Sequence, residues 1–204
     1  MWTVSTRPAR KKTYHHGDLE AALTRAAGKI LEKEGVEGLK LRSVARRAGV
    51  SHNAPYRHFA QSEALLAALA VQGFEALGEA LRKAAAAGGL RAMGEAYVAF
   101  AVAQPQRFRL MFGGRIPLGK HDRLRDVATR SFAELAGALS ARVPGAKDAN
   151  DSSIAAWALV HGLAQLLLGN RLPGAAQRGR DDAVFVRDVL SSVRFAAIPA
   201  QSPA

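Results

Sequence analysis

The chain has 204 residues, 49% of them hydrophobic but only 6% aromatic, and it contains no cysteine. That excludes a disulfide scaffold, thiolate metal ligation and a cysteine nucleophile. The net charge of +12 argues for polyanionic partners. Its distribution sharpens the point: residues 1–60 carry net +7 from 12 basic and 5 acidic side chains, against +5 over residues 61–204.

Residues 1–14 read as a flexible basic arm, with Arg10, Lys11 and Lys12 behind Pro8 and no apolar run to make a secretory signal. No stretch reaches the roughly 20 apolar residues of a membrane span, so the expectation is a cytoplasmic chain that avoids membranes. A first helix is expected from Gly17 and Asp18, with Asp18 as its cap. Leu19, Ala22, Leu23, Ala26, Ala27, Ile30 and Leu31 then recur on one helical face, and Gly35 stops the run. A short helix over about 41–48 turns Leu41, Val44, Ala45 and Ala48 inward. Gly49 supplies a left-handed reversal, Ser51 caps a third short helix, and Val50 is placed to staple onto Pro55.

Further helices are expected at about 62–86, 90–103, 105–112, 121–142, 152–168 and 182–195. Gly88 with Gly89, Pro105, Gly113 with Gly114, Pro144 with Gly145, and Pro173 with Gly174 punctuate them. Asp181 and Asp182 sit where a helix start favours acids. No segment sustains the period-2 alternation of a strand. The predicted architecture is all-α, about nine helices. It divides into the arm 1–14, a helix-turn-helix domain 15–60, a larger helical domain 61–198 and a disordered tail 199–204.

The informative stretch is 39–66, LKLRSVARRAGVSHNAPYRHFAQSEALL. It reads as a helix, a glycine turn and a second helix too short and too polar to be mainly core. That second helix displays His52, Asn53, Tyr56, Arg57 and His58, while Phe59 anchors its end. Such a unit can lay its second helix in the major groove of double-stranded DNA, where Asn or Arg reaches base edges. Arg42, Arg46, Arg47 and the arm add attraction that does not depend on sequence.

Residues 16–66 resemble the DNA-binding domain of the Tet repressor (TetR) family. The matching pieces are the first helix ending in Glu34-Gly35, LRSVARRAGVS (41–51), APYRHF (54–59) and EALL (63–66). The resemblance implies that Arg42 and Ser43 meet the DNA backbone and that Ser51, Tyr56 and His58 contact phosphates. It sets His52, Asn53, Ala54 and Pro55 at base edges, with the apolar pair suited to thymine methyls. Two positions depart from the family's habit: Lys40 stands where Ser or Thr often caps the second helix, and Ser62 where a Lys often precedes the Glu.

Further along, Trp157-Ala-Leu-Val-His161-Gly162 and PQRFRLMFG (105–113) resemble a subgroup marked by a Trp-x-x-x-His-Gly motif. The resemblance implies a repressor that binds a palindromic operator as a homodimer, joined through its last two helices. It also implies a small-molecule effector held between the helices of the larger domain, without cofactor, metal or catalytic residue.

Tyr97, Phe108, Met111, Phe112, Trp157 and His161 are the candidate effector-pocket residues, and each has a plainer reading as core. For His161, that plainer reading is a hydrogen-bonded core histidine with Gly162 allowing close helix packing. Arg171, Arg178 and Arg180 read as solvated loop residues, and His15, His16 and Asp18 as a polar lead-in rather than a metal site. No P-loop, dinucleotide fingerprint, nucleophile elbow or His-Glu-x-x-His pair is present. Two rival classes stay open: a small helical enzyme using His161 with Glu95 or Glu134, and a basic protein that coats nucleic acid without sequence preference.

Overall fold

A computed structural model describes residues 16–140 and 149–193; among them every regular element is helical. Helix α1 spans His16–Glu34, which puts Asp18 within its first turn. Gly35, at φ 70°, ends it. Helix α2 is Leu41–Ala48, entered from an extended Lys40 that offers no side-chain cap. Gly49 leaves it at φ 71° and ψ 30°. The Gly49 N–H then bonds the Arg46 carbonyl at 3.2 Å and the Val50 N–H that of Ala45 at 3.0 Å. This is a Schellman closure, which needs the left-handed residue that glycine adopts without strain.

The third short helix is a correction. Only a single 3-10 turn forms, at Pro55–Arg57, and Ser51 does not cap it. An α-helix begun at Ser51 would require Pro55 to donate to the Ser51 carbonyl, and proline has no N–H. Ala54 donates to that carbonyl instead, at 3.0 Å, in the tighter pattern.

Helix α3 runs from Ser62 to Ala103 and is broken at Gly88 and Gly89, whose torsions are not helical. Its first part leaves the helix-turn-helix and its second enters the larger domain. Then follow α4 (Pro105–Phe112), α5 (Asp122–Ser140), α6 (Ala149–Leu168), the short α7 (Gly174–Gln177) and α8 (Asp182–Ser192). The Asp181 carboxylate accepts from the Val184 N–H at 2.8 Å and caps α8. The basic arm with Arg10, Lys11 and Lys12, the Pro144 and Gly145 break, and the tail lie outside the described residues.

One apolar core threads both halves along α3. Leu23, Ala27, Leu31, Val44 and Phe59 belong to it on the helix-turn-helix side, and Met93, Val98, Phe108 and Leu124 in the larger domain. Two expectations are corrected by this packing. Helix α3 and residues Asn150–Leu168 do have the length and mean hydropathy (1.4 and 1.2) of membrane spans. The apolar window of α3 is 56% buried in the fold, as a core helix should be, while that of α6 is only 28% buried. Arg180 is not simply solvated either. It pairs with Asp188, bonds the carbonyls of Gln177 and Ala176, and lies over the Phe185 ring, 5.2 Å from its centroid.

Candidate functional site

Two features stand apart from ordinary packing: a polar tip on the helix-turn-helix and an apolar cavity in the larger domain. At the tip, Arg42, Ser51, His52, Asn53 and Tyr56 are exposed, and Tyr56 keeps 51% of its surface in solvent despite its ring. Ser43, Ala54 and His58 are half-buried. Pro55 is fully buried, so the ring expected at a base edge instead anchors the turn to the core. Arg46, Arg47 and Arg57 remain exposed around the tip.

The cavity measures about 980 Å³ and lies between α3, α4, α5, α6 and α8. Leu77, Leu81, Leu124 and Leu135 form aliphatic walls; Phe74, Phe112, Phe132 and Trp157 form aromatic ones. Phe112 meets Phe74 edge-on at 5.3 Å, and Trp157 meets Phe132 at 5.8 Å. Of the six expected pocket residues, Tyr97, Met111, Phe112 and Trp157 line the cavity. Phe108 and His161 do not. They stack on each other at 5.3 Å as a second layer, with Phe108 fully buried.

The two layers are joined by hydrogen bonds. The Trp157 indole N–H donates to the Tyr97 hydroxyl at 3.2 Å, and that hydroxyl lies 2.9 Å from His161 Nδ1. His161 Nε2 in turn lies 3.3 Å from the Gln165 amide, on the exposed side of α6. Burial raises the Tyr97 pKa far above the ordinary phenol range, with the Trp157 bond opposing it slightly. Burial lowers the His161 pKa, which favours a neutral imidazole at physiological pH. Among the described residues no carboxylate bonds His161. Glu95 is held by Arg91 and lies near Arg187, and Glu134 is held by Arg82.

Some contributors were not legible in the sequence. Gly162 faces open space, so it is not the close-packing glycine. That role falls to Gly94, where a Cβ would sit 2.9 Å from Leu190 Cδ1, and to Gly73, where it would meet Met111 Sδ. Arg91 and Ser131, which line the cavity, and Gln165, which bonds His161, were also missed, because nothing in local spacing marks such positions.

Among the described residues, three polar contacts tie the helix-turn-helix to the larger domain. Glu32 accepts from the Arg107 backbone N–H at 3.2 Å, Glu37 pairs with Arg115 at 2.7 Å, and Glu63 meets His121 at 3.0 Å. In each, the acid lies on the helix-turn-helix side, counting the first turn of α3. Helix α4 therefore touches α1 through Arg107 and lines the cavity through Met111 and Phe112.

A helix-turn-helix followed by a helical, cavity-bearing domain defines a class of two-domain all-α proteins. Residues 23–69 match the family described as bacterial regulatory proteins, tetR family, and residues 90–190 match the tetracyclin repressor-like C-terminal domain. The chain belongs to the TetR family. A solved protein of unknown function from Rhodococcus sp. RHA1 is 34% identical, with 89% of this chain and 96% of that one covered and a TM-score of 0.75. The multidrug binding protein EbrR, solved with imidazole, shares the fold at 20% identity and a TM-score of 0.64, covering 97% and 100% of the two chains. The HTH-type transcriptional regulator Rv1816 of Mycobacterium tuberculosis is 29% identical over 135 residues, 61% of this chain. The match spans 57% of that relative's own length.

Proposed function

We propose that this chain is a sequence-specific DNA-binding transcription regulator, a repressor acting in the cytoplasm, released from its operator by a small molecule bound in the cavity. The observation that carries this reading is that α3 and α4 each touch the helix-turn-helix domain and also line the cavity. A molecule that changes how α4 packs changes the seating of α1 as well.

His52 and Asn53 are the base-reading residues, with Ala54 beside them. Arg42, Ser43, Ser51, Tyr56 and His58 position the backbone, and Arg10, Lys11 and Lys12 add electrostatic attraction. Tyr97, Met111, Phe112 and Trp157 contact the effector, with Phe108 and His161 supporting them from behind. Within the Trp157, His161 and Gly162 motif that the subgroup resemblance rests on, Trp157 would line the cavity and His161 would support it through Tyr97. The functional boundary falls near residue 60, where α3 begins.

The working unit is a homodimer joined through α6 and α8. Helix α6 leaves Ile154 and Leu166 47% and 43% exposed, Gly162 opens onto space between them, and Val184 of α8 is also exposed. An apolar face of this kind is suited to a self-complementary two-fold contact. The dimer would place two tips on an inverted repeat, about 34 Å apart.

The test is selection of bound sequences from a random duplex pool at stated salt, using the chain and a His52→Ala, Asn53→Ala, Tyr56→Ala variant. One enriched inverted repeat, lost in the variant, is expected. A folded protein that enriches nothing would overturn the reading and leave binding without sequence preference as the better account.

A further inference from the structure

We infer that the cavity takes an amphipathic organic anion: an apolar body against its walls and an acid head held by Arg91. This rests on the reading of the cavity as the effector site.

The polar inventory of the wall comes first. Among the described lining residues those with polar side chains are Arg91, Ser131, Tyr97 and Trp157, and the Arg91 guanidinium is half-exposed and bonded to Glu95. No carboxylate, side-chain amide or imidazole lines it. The indole can only donate and is already engaged by Tyr97. The guanidinium can only donate, and Arg91 is the one charged residue among the described lining residues. A ligand acid finds its complement there. A ligand cation finds none, and the aromatic faces that might attract it lie in a cavity whose one charge repels it.

The surroundings of Arg91 add a second argument. Arg91 pairs with Glu95, and Glu95 also lies 3.9 Å from Arg187 on α8. Two cations share one carboxylate, so the group keeps a net positive charge. Arg91 can turn toward a ligand while Glu95 retains Arg187. Arg91 is also half-exposed, which allows an acid head to stay partly hydrated while the body is buried. Volume supplies the third argument: about 980 Å³ of mostly apolar space requires a sizeable apolar body, so a small inorganic anion does not fit the site.

The experiment uses the full chain with Trp2→Phe, which leaves Trp157 as its sole tryptophan, so that its fluorescence reports on the cavity wall. Decanoate, decanol and decylammonium are titrated below their micelle concentrations. Decanoate is expected to bind most tightly and decylammonium least. Arg91→Met should weaken decanoate about tenfold and leave decanol unchanged. Glu95→Gln, which frees Arg91, should tighten decanoate several-fold, an effect that general damage to the fold does not produce. Thermal unfolding checks that each variant is folded. Equal affinity for all three probes, or no response of decanoate to either substitution, overturns the anion inference and leaves the cavity reading standing. Absence of any binding by a folded protein overturns both.

Discussion

The two halves of this molecule use apolar helix faces for opposite ends. In the helix-turn-helix, Leu23, Leu31, Val44 and Phe59 fill their space and leave the polar residues on display. In the larger domain, side chains of the same kind enclose a space and leave it open. The lesson is that a surface function is carried by the residues that fail to join the core, whereas a cavity function is carried by residues that resemble core in every local respect.

The comparison can be broken most directly at the tip. Replacing His52, Asn53 and Tyr56 together by Ala should reduce operator affinity by about a hundredfold or more, because each well-aligned bond to a base edge discriminates by roughly 1–3 kcal/mol. Unfolding temperature should not move, because all three side chains are exposed. A large loss of stability would mean the tip is structural after all.

The next largest effect lies behind the cavity wall. Tyr97→Phe leaves the Trp157 N–H and His161 Nδ1 without the hydroxyl that joins them, and should cost about 1–3 kcal/mol in denaturant unfolding. Gly94→Ala drives a methyl group against Leu190 and Val160 and should cost about 1–2 kcal/mol. Gly162→Ala meets open space within the chain, so it should spare the fold and alter only the dimer dissociation constant, read by sedimentation.

A pH effect is smaller. The folded-state pKa of His161 lies below its ordinary value of 6.5, so at pH below that value the unfolded chain binds more protons at this site. The associated stability is complete above pH 6.5 and declines as pH falls through the folded-state pKa. His161→Asn should flatten the fall of unfolding temperature on acidification. An unchanged slope would remove His161 from the account. Smallest of all, Glu32→Gln and Glu37→Gln should change stability by less than about 1 kcal/mol, since both pairs are at least partly exposed. They should nonetheless alter how far a bound ligand shifts operator affinity. No change in that coupling would argue that the link runs through packing alone.

The fold was largely legible because its signals are local. Gly35, Gly49 and Gly88 with Gly89 each end a helix where expected, and the spacing of Leu23, Ala27, Ile30 and Leu31 marks a real buried face. The third short helix was misread because the missing N–H of Pro55 decides its geometry. The exposure of His52, Asn53 and Tyr56 followed from their polarity next to a turn. Burial of Pro55 did not, since a proline at a helix start fits either role. Within the cavity, Trp157 and His161 share a helical face, yet a single layer of packing separates one from the other. Arg91 and Gly94 belong to the site only because α5, α6 and α8 converge there, and no pattern within α3 announces that.

Helix α3 is unbroken from Ser62 up to Gly88, so about 26 residues at 1.5 Å each make a rod of roughly 39 Å. Its far end runs beside the cavity and its near end carries the reading tip. A tilt of about 5° about the far end sweeps the near end by roughly 3.4 Å, the rise of one base pair. On the proposed reading, such geometry would turn a small repacking of a ligand-sized space into a shift of one whole step along a duplex. The break at Gly88 and Gly89 would confine that swing to the near rod, so that the remainder of the helix need not follow.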